Sequence, residues 1–187
     1  MSEPVSALAG AVAEGCTIGI EDTGPRGQIT LRGDLGSEAL AGAVREVAGA
    51  AVPGTWRVEG AGSAGAVSMS PDELLLLVPH GAADERAGQV ARLLAGEHHM
   101  AVNVSDARAI LRLTGPRVGE VLAKGVPCDV TDRGFPPGSA RRTHLGQVAV
   151  VLWRLDAETW EIGCFRSFAH HLMAWLEAAA VPGSEVG

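Results

Sequence analysis

The chain has 187 residues and a formal net charge of −7, with 47% hydrophobic and 20% charged residues. This length and hydrophobic content suffice for one domain or two small ones, and they exclude a disordered chain. An acidic chain with a single lysine (Lys124), no tyrosine and 4% aromatic residues is a poor nucleic-acid binder, because it has little positive charge or stacking surface. We therefore expect no nucleic-acid partner.

The apolar segments and the cysteines indicate where the protein works. Even a long apolar run such as residues 74–78 is far shorter than the roughly 20 residues of a membrane helix. No basic segment precedes an apolar stretch at the N-terminus, so no export signal is visible. Cys16, Cys128 and Cys164 are widely spaced, form no CxxC motif, and disfavour a disulfide framework or a zinc site. We expect a cytoplasmic protein with no membrane partner.

The first half of the chain alternates strand and helix patterns. Residues 28–32 alternate apolar and polar side chains, which is typical of a half-buried strand. Ser37 is a suitable N-cap for an amphipathic helix over 38–50, which Pro53-Gly54 would stop. The other elements predicted in this half are strands over 66–70 and 74–78 and a helix over 83–95.

The same order recurs in the second half. A strand over 107–113 leads into Gly115-Pro116, which places proline at the first position of a helix. Apolar residues on both faces of 147–154 predict a central strand. The other elements predicted in this half are strands over 141–145 and 160–164 and a final helix over 166–180 whose apolar stripe includes Phe168 and Leu172.

We interpret this recurrence as an internal duplication with β-α-β-β-α order in each half. The pattern predicts an α+β fold in which two similar halves, 27–97 and 98–180, are packed as one domain, because neither half is large enough to be comfortably stable alone. Residues 1–26 are expected to form an N-terminal arm or short helix, and 181–187 a tail.

No segment carries a strong catalytic or ligand-binding signature. Residues 60–65 (GAGSAG) match GxGxxG by letter, but a strand rather than a helix is predicted after them, which favours a flexible loop. Asp106 and Asp129 are potential bases that we interpret as surface charges, and Ser167 as a helix cap. The six histidines include two adjacent pairs, whose side chains point in different directions and cannot share one metal ion. We predict no catalytic, cofactor-binding or metal-binding residue in this chain.

Five arginines of the second half are candidates for a subunit interface. Guanidinium groups favour bidentate, partly buried pairing with carboxylates, as found at protein interfaces, although a solvated face is an equally good interpretation. These candidates are Arg108, Arg112, Arg141, Arg142 and Arg166. The four tryptophans are interpreted as core or interface anchors.

Several segments resemble the gamma subunit of heterotetrameric sarcosine oxidase, and the resemblance covers roughly residues 27–180. They are 104–109 (VSDARA), 111–116 (LRLTGP), 121–125 (VLAKG), 135–138 (FPPG), 142–143 (RT), 145–146 (LG), 166–169 (RSFA) and, in the first half, 69–76 (MSPDELLL). That family is similar in turn to the folate-binding domain of aminomethyltransferases, which is the fold that the resemblance implies.

The resemblance implies a non-catalytic subunit in a complex of alpha, beta, gamma and delta subunits. Such a complex oxidises sarcosine to glycine and hydrogen peroxide, and forms 5,10-methylenetetrahydrofolate when tetrahydrofolate is present. FAD, FMN and NAD are expected in the alpha and beta subunits and zinc in delta, with no cofactor in this chain. One alternative is a stand-alone folate-binding or aminomethyl-transfer protein. Another is a regulatory ligand-binding module built from paired α+β halves.

Overall fold

The computed structural model describes residues 4–184, which fold into two compact units. One unit comprises residues 26–105, and the other combines residues up to 25 with those from 106 onward. Each unit is a five-stranded antiparallel sheet with two helices on one face. The predicted α+β architecture of two similar halves is confirmed. Residues 1–3 of the predicted arm and 185–187 of the predicted tail lie outside the described residues.

The elements follow the predicted alternation with three additional strands. In chain order they are β1 (Gly19–Asp22), β2 (Gly27–Arg32), α1 (Glu38–Ala48), β3 (Val58–Ala61), β4 (Ala64–Ser70), β5 (Glu73–Val78), α2 (Ala83–Leu93), β6 (Met100–Asn103), β7 (Arg108–Thr114), α3 (Val118–Ala123), β8 (Ala140–Leu145), β9 (Val148–Arg154), β10 (Thr159–Phe165) and α4 (Ala169–Ala179). Short 3₁₀ turns, His80–Ala82 and Arg166–Phe168, precede α2 and α4.

The two sheets have the same strand order. In the 26–105 unit the order is β3-β4-β5-β2-β6, and in the other it is β8-β9-β10-β7-β1. Two strands pair with the half of the chain to which they are not adjacent in sequence. The strand β1 comes just before the first half but pairs with β7 of the second, and β6 comes just before the core of the second half but pairs with β2 of the first. The structure therefore divides the chain at residues 25/26 and 105/106 rather than at 97/98, and the predicted arm contains a paired strand.

The helix α1 illustrates how local sequence signals set the boundaries of an element. The Ser37 hydroxyl accepts a hydrogen bond from the Leu40 N–H at 3.2 Å, which satisfies one of the free donors of the first turn. Gly49 ends the helix with φ of 64°, a left-handed conformation that glycine adopts without strain. The apolar stripe that includes Val44 and Val47 is buried against the sheet.

Each unit has a hydrophobic cluster between its helices and its sheet. In the unit that combines residues up to 25 with those from 106 onward, Trp160 is 2% exposed. Its ring stacks on that of Phe135, with the ring centroids 4.9 Å apart. Trp175 on α4 packs against the edge of this cluster. A Cβ on Gly125 would lie 2.4 Å from the Trp175 ring, so glycine is required where α3 ends beside α4.

Candidate functional site

The structure separates the five arginines predicted to form an interface. Arg108 and Arg166 lie together at the ends of β7 and β10, where the Arg166 N–H donates to the Ala107 carbonyl at 2.9 Å. The Arg141 guanidinium lies 5.5 Å from the centre of the Phe135 ring. Arg142 is exposed on β8, an edge strand. Arg112 belongs to a charged network within its own sheet, so these side chains do not form one basic patch.

The Arg112 network crosses the sheet through a buried carboxylate. Oε1 of Glu161, a fully buried residue, accepts hydrogen bonds from Nε and Nη2 of Arg112 at 3.2 and 2.8 Å. Its other oxygen, Oε2, accepts one from Nε1 of Trp153 at 3.0 Å. A further contact of 3.6 Å joins Arg112 to Glu21 on β1. Both carboxylate oxygens are engaged, so this network holds neighbouring strands together and presents no reactive group.

A cavity of about 520 Å³ lies beside α3 and the turn between β9 and β10. Its charged inner residue is Arg154, which is 5% exposed and stacks on Trp160 with 4.8 Å from the guanidinium carbon to the ring centre. The lining residues are Pro116, Gly119, Glu120, Ala123, Val130, Thr131, Asp132, Arg154, Ala157, Glu158 and Trp160. These include three carboxylates, the hydroxyl of Thr131, and no histidine, cysteine or lysine. The Thr131 hydroxyl donates to Asp129, whose lowered pKa makes that carboxylate a weak base.

The donors of Arg154 are engaged by the protein itself. The guanidinium donates to the carbonyls of Asp156 at 2.9 Å, Phe135 at 3.0 Å and Ala157 at 2.6 Å. Asp132 Oδ1 lies 2.7 Å from its Nη1 atom. These contacts explain how a charge is tolerated at this depth. Of the other charged lining residues, Glu120 pairs with Arg117 at 2.9 Å.

The predicted carboxylate candidates are surface groups. Asp129 accepts hydrogen bonds from the hydroxyl and the N–H of Thr131, and these bonds hold the pKa of its carboxyl below the usual range. Such a group is a weak base at neutral pH. Asp106 is exposed. Within residues 4–184, no three histidine, cysteine or acidic side chains lie close enough together to hold a metal ion.

The structure also shows the conformation of the GxGxxG-like segment and the lengths of the helices. Residues 60–65 form the hairpin between β3 and β4, with Gly60 opposite Gly65, and no helix begins there that could receive a pyrophosphate. The longest helices of the described part have 11 residues, and none is long and apolar enough to cross a membrane.

Cys164 lies on β10 and provides a test of burial in the sheet β8-β9-β10-β7-β1. Its side chain is buried, and desolvation raises the pKa of the thiol from 9.0 to about 11. The folded chain therefore binds this proton more tightly than the unfolded chain. We expect the thiol's contribution to the free energy of unfolding to be constant below about pH 9 and to be lost between pH 9 and 11, at up to about 1.4 kcal/mol per pH unit.

The measurement is urea unfolding of the chain and of its Cys164→Ala variant between pH 8 and 11. The variant should lose the corresponding part of the pH dependence, since its side chain cannot ionise. Equal pH slopes for the two proteins would contradict a buried, neutral thiol at this position.

An exposed group of aromatic and arginine side chains lies where β10 leads into α4. We call it the Phe165 surface and define it by Val5, Arg108, Phe165, Arg166 and Phe168. The Arg108 guanidinium carbon lies 5.5 Å from the centre of the Phe165 ring, and Arg166 Nη2 donates to the Val5 carbonyl at 2.7 Å. Phe165 and Phe168 are 52% and 46% exposed, so two of the chain's three phenylalanines lie largely in solvent.

Sequence reasoning missed this surface because it continued the helix too far. The prediction placed Phe168 on the buried stripe of a helix over 166–180, and Ser167 at its cap. In the structure residues 166–168 form a 3₁₀ turn, and α4 begins at Ala169 with Phe168 at the cap position. A 3₁₀ turn advances three residues per turn instead of 3.6, so it changes which side chains face the core. Phe168 is therefore exposed.

Comparison with known proteins identifies the family. The model of the "Sarcosine oxidase, gamma subunit family" matches residues 32–182. A sarcosine oxidase subunit gamma from Arthrobacter sp is 32% identical over 180 residues, which cover 92% of this chain and 86% of the relative. This chain belongs to the sarcosine oxidase gamma subunit family. The resemblance seen in the sequence motifs is thereby confirmed.

Solved structures agree with this assignment. A chain of the heterotetrameric sarcosine oxidase from Corynebacterium sp. U-96, solved in complex with pyrrole 2-carboxylate, is similar with a TM-score of 0.80 and 28% identity, over 94% of this gamma-family chain and 90% of that one. The glycine cleavage system aminomethyltransferase T from Bartonella henselae is similar with a TM-score of 0.62 and 17% identity, over 86% of this chain and 45% of that one. The second likeness shows a shared fold, as the motifs predicted.

Proposed function

We propose that this chain is the non-catalytic gamma subunit of a heterotetrameric sarcosine oxidase that works in the cytoplasm. Its partners are alpha, beta and delta subunits, and the complex oxidises sarcosine to glycine and hydrogen peroxide, with 5,10-methylenetetrahydrofolate formed when tetrahydrofolate is present. The observation that carries the proposal is the likeness to a chain of such a heterotetramer over 94% of this chain. FAD, FMN, NAD and zinc belong to the partner subunits in this proposal.

The chemistry of the described residues supports a non-catalytic role. The buried carboxylate of Glu161 is held by two partners, and the donors of Arg154 are engaged by main-chain carbonyls and Asp132. The cavity lining offers one hydroxyl beside a carboxylate, Thr131 next to Asp129, and the lowered pKa of Asp129 makes it a weak general base. The thiols of Cys16, Cys128 and Cys164 are free, which suits a reducing compartment.

The alternative of a stand-alone folate-binding protein receives less support from the charges of the cavity. Folates carry carboxylates, and an anion in this cavity would meet Glu158 beside a guanidinium, that of Arg154, which Asp132 and main-chain carbonyls already engage. Like charges across a binding site weaken binding. The likeness to an aminomethyltransferase concerns the fold, and a fold alone does not specify an activity.

The proposal is tested by asking whether the solubility of the chain depends on its partner subunits. A subunit that contributes mainly an interface should be poorly soluble or aggregated when it is produced alone, because it exposes apolar surface that the complex covers. We expect co-expression with the alpha and beta subunits to move it into the soluble fraction and into one species on size-exclusion chromatography. A monomeric, stable chain that ignores these partners would contradict the proposal.

A further inference from the structure

The C-terminal end of α4 lacks the local sequence signals that end α1. In α1, Arg45 lies in the last turn and Gly49 adopts a left-handed conformation at the cap position. In α4, residues 176–179 (LEAA) contain no basic side chain, and Glu177 adds a negative charge at the negative end of the helix dipole. The cap residue Ala180 has φ of −98°, which is not a left-handed conformation. The carbonyls at this end therefore need donors from elsewhere in the fold.

Lys124, the single lysine of the chain, brings a cation to this helix end from the cap position of α3. Its Nζ atom donates to the carbonyls of Ala179 at 2.5 Å and Ser184 at 2.6 Å, and to the Ser184 hydroxyl at 2.9 Å. An ammonium group has three N–H donors, so the three acceptors match its full capacity. A contact that spans 55 residues thus replaces the local cap that α4 lacks.

The residues after α4 form a tight turn that returns to this ammonium group. The N–H and the hydroxyl of Ser184 both donate to the Val181 carbonyl, at 3.1 and 2.6 Å. The Ala180 carbonyl accepts a hydrogen bond from the Thr17 N–H at 2.8 Å, and Ala180 is fully buried. Segment 180–184 is therefore a short strap that joins the end of α4 to the N-terminal segment and to the end of α3.

The residue type at position 124 carries information, because the other 14 of the chain's 15 basic residues are arginine. An ammonium group is compact and directs its three donors from one nitrogen, whereas a guanidinium is a planar fork suited to carboxylates. Three acceptors that converge on one atom fit the ammonium group. Arginine at this position is therefore not an equivalent substitution.

We infer that Lys124 is a positioning residue that caps α4 and holds segment 180–184 closed as a strap, and that the strap opens when the ammonium group is lost. Gly119 and Ala123 of α3 line the cavity of about 520 Å³, so closing the strap beside α3 also fixes one wall of that cavity. This inference concerns the conformation of the chain itself and does not depend on the proposed function.

The test measures hydrogen exchange of the full chain by mass spectrometry. We expect Lys124→Met to speed exchange of the amides of residues 177–184 by about tenfold or more, while the amides of the central strand β9 keep their wild-type rates. Lys124→Arg should give most of the same increase. The matched control is Arg142→Met, which removes an exposed cation from the same unit and should leave residues 177–184 unchanged.

A second measurement uses the wild-type chain, so it does not require a variant to fold. Because Lys124 is the only lysine, acetylation by an N-hydroxysuccinimide ester modifies one side-chain amine, and we expect it to be about tenfold or more slower in the folded than in the urea-unfolded chain. Ser184→Ala removes one acceptor and should speed acetylation of the folded chain. Equal acetylation rates in the folded and unfolded chain, wild-type exchange in Lys124→Arg, or an equal rise in β9 and in residues 177–184 of Lys124→Met would overturn the inference.

Discussion

Replacing Trp160 by alanine is expected to destabilise the protein by about 3–5 kcal/mol, the range typical of a buried tryptophan lost from a core. Its ring stacks on Phe135 and lies under the Arg154 guanidinium, and the residue is 2% exposed. The substitution removes this packing and leaves a void that the antiparallel sheet cannot close, because Trp160 is paired on both sides through β7 and β9. Arg154 also loses its aromatic neighbour.

The measurement is pulse proteolysis across a urea gradient, which requires little protein and reports the folded fraction. Trp56→Ala is the matched control, since Trp56 is 60% exposed and its truncation should change the free energy of unfolding by no more than about 0.5 kcal/mol. Similar urea midpoints for the two variants would show that Trp160 does not contribute as a core residue.

Replacing Glu161 by alanine is expected to cost about 2–4 kcal/mol. The change leaves the Trp153 N–H without its acceptor in a buried environment and removes the carboxylate that neutralises Arg112. The cost falls below that of a fully buried pair because the Arg112 side chain is 32% exposed and retains Glu21 at 3.6 Å. The interaction is strong because Glu161 itself has no exposed surface.

Comparison with an exposed ion pair isolates the effect of burial. Glu120 pairs with Arg117 at 2.9 Å on the surface of α3, and Glu120→Ala should change stability by less than about 1 kcal/mol. In a double-mutant cycle, Arg112→Leu combined with Glu161→Leu should be less destabilising than the sum of the single changes, because neither partner is then left as an isolated charge. Strict additivity in urea unfolding would contradict direct coupling.

These stability tests probe the interior of the protein on both faces of one strand, β10. Trp160 and Glu161 are adjacent in β10 and face opposite sides of the sheet, one toward the helices and one toward the Arg112 network. Phe165 lies at the end of the same strand and is half exposed. Variants of Trp160 and Glu161 should therefore change the free energy of unfolding.

The helices and interior strands could be predicted from sequence because their signals are local. Alternation over 28–32 and the double-sided apolar run over 147–154 indicated strands, although burial departs from the pattern at Gln28 and Arg154, which are both buried, and Ser37 marks the start of α1. The resemblance motifs added the family, which the comparisons confirmed. These features depend on neighbours within a few positions along the chain.

Tertiary structure decided three of the four sheet edges and the use of the charges, whereas the fourth edge strand, β8, had been predicted over 141–145. The strands β1, β3 and β6 were not predicted; each has four residues, lies at a sheet edge and depends on a distant partner for its hydrogen bonds. The exchange of β1 and β6 between repeats likewise arises from pairing across long sequence separations, which no local pattern encodes.

The arginines show the same limit. The sequence placed five of them in one half, yet Arg112 turned out to neutralise a buried carboxylate while Arg166 remained beside two exposed phenylalanines. A guanidinium suits a buried ion pair and a subunit contact equally well, so its type does not reveal its partner. The position of Glu161 assigns Arg112 to a buried ion pair, because only folding brings that carboxylate within reach.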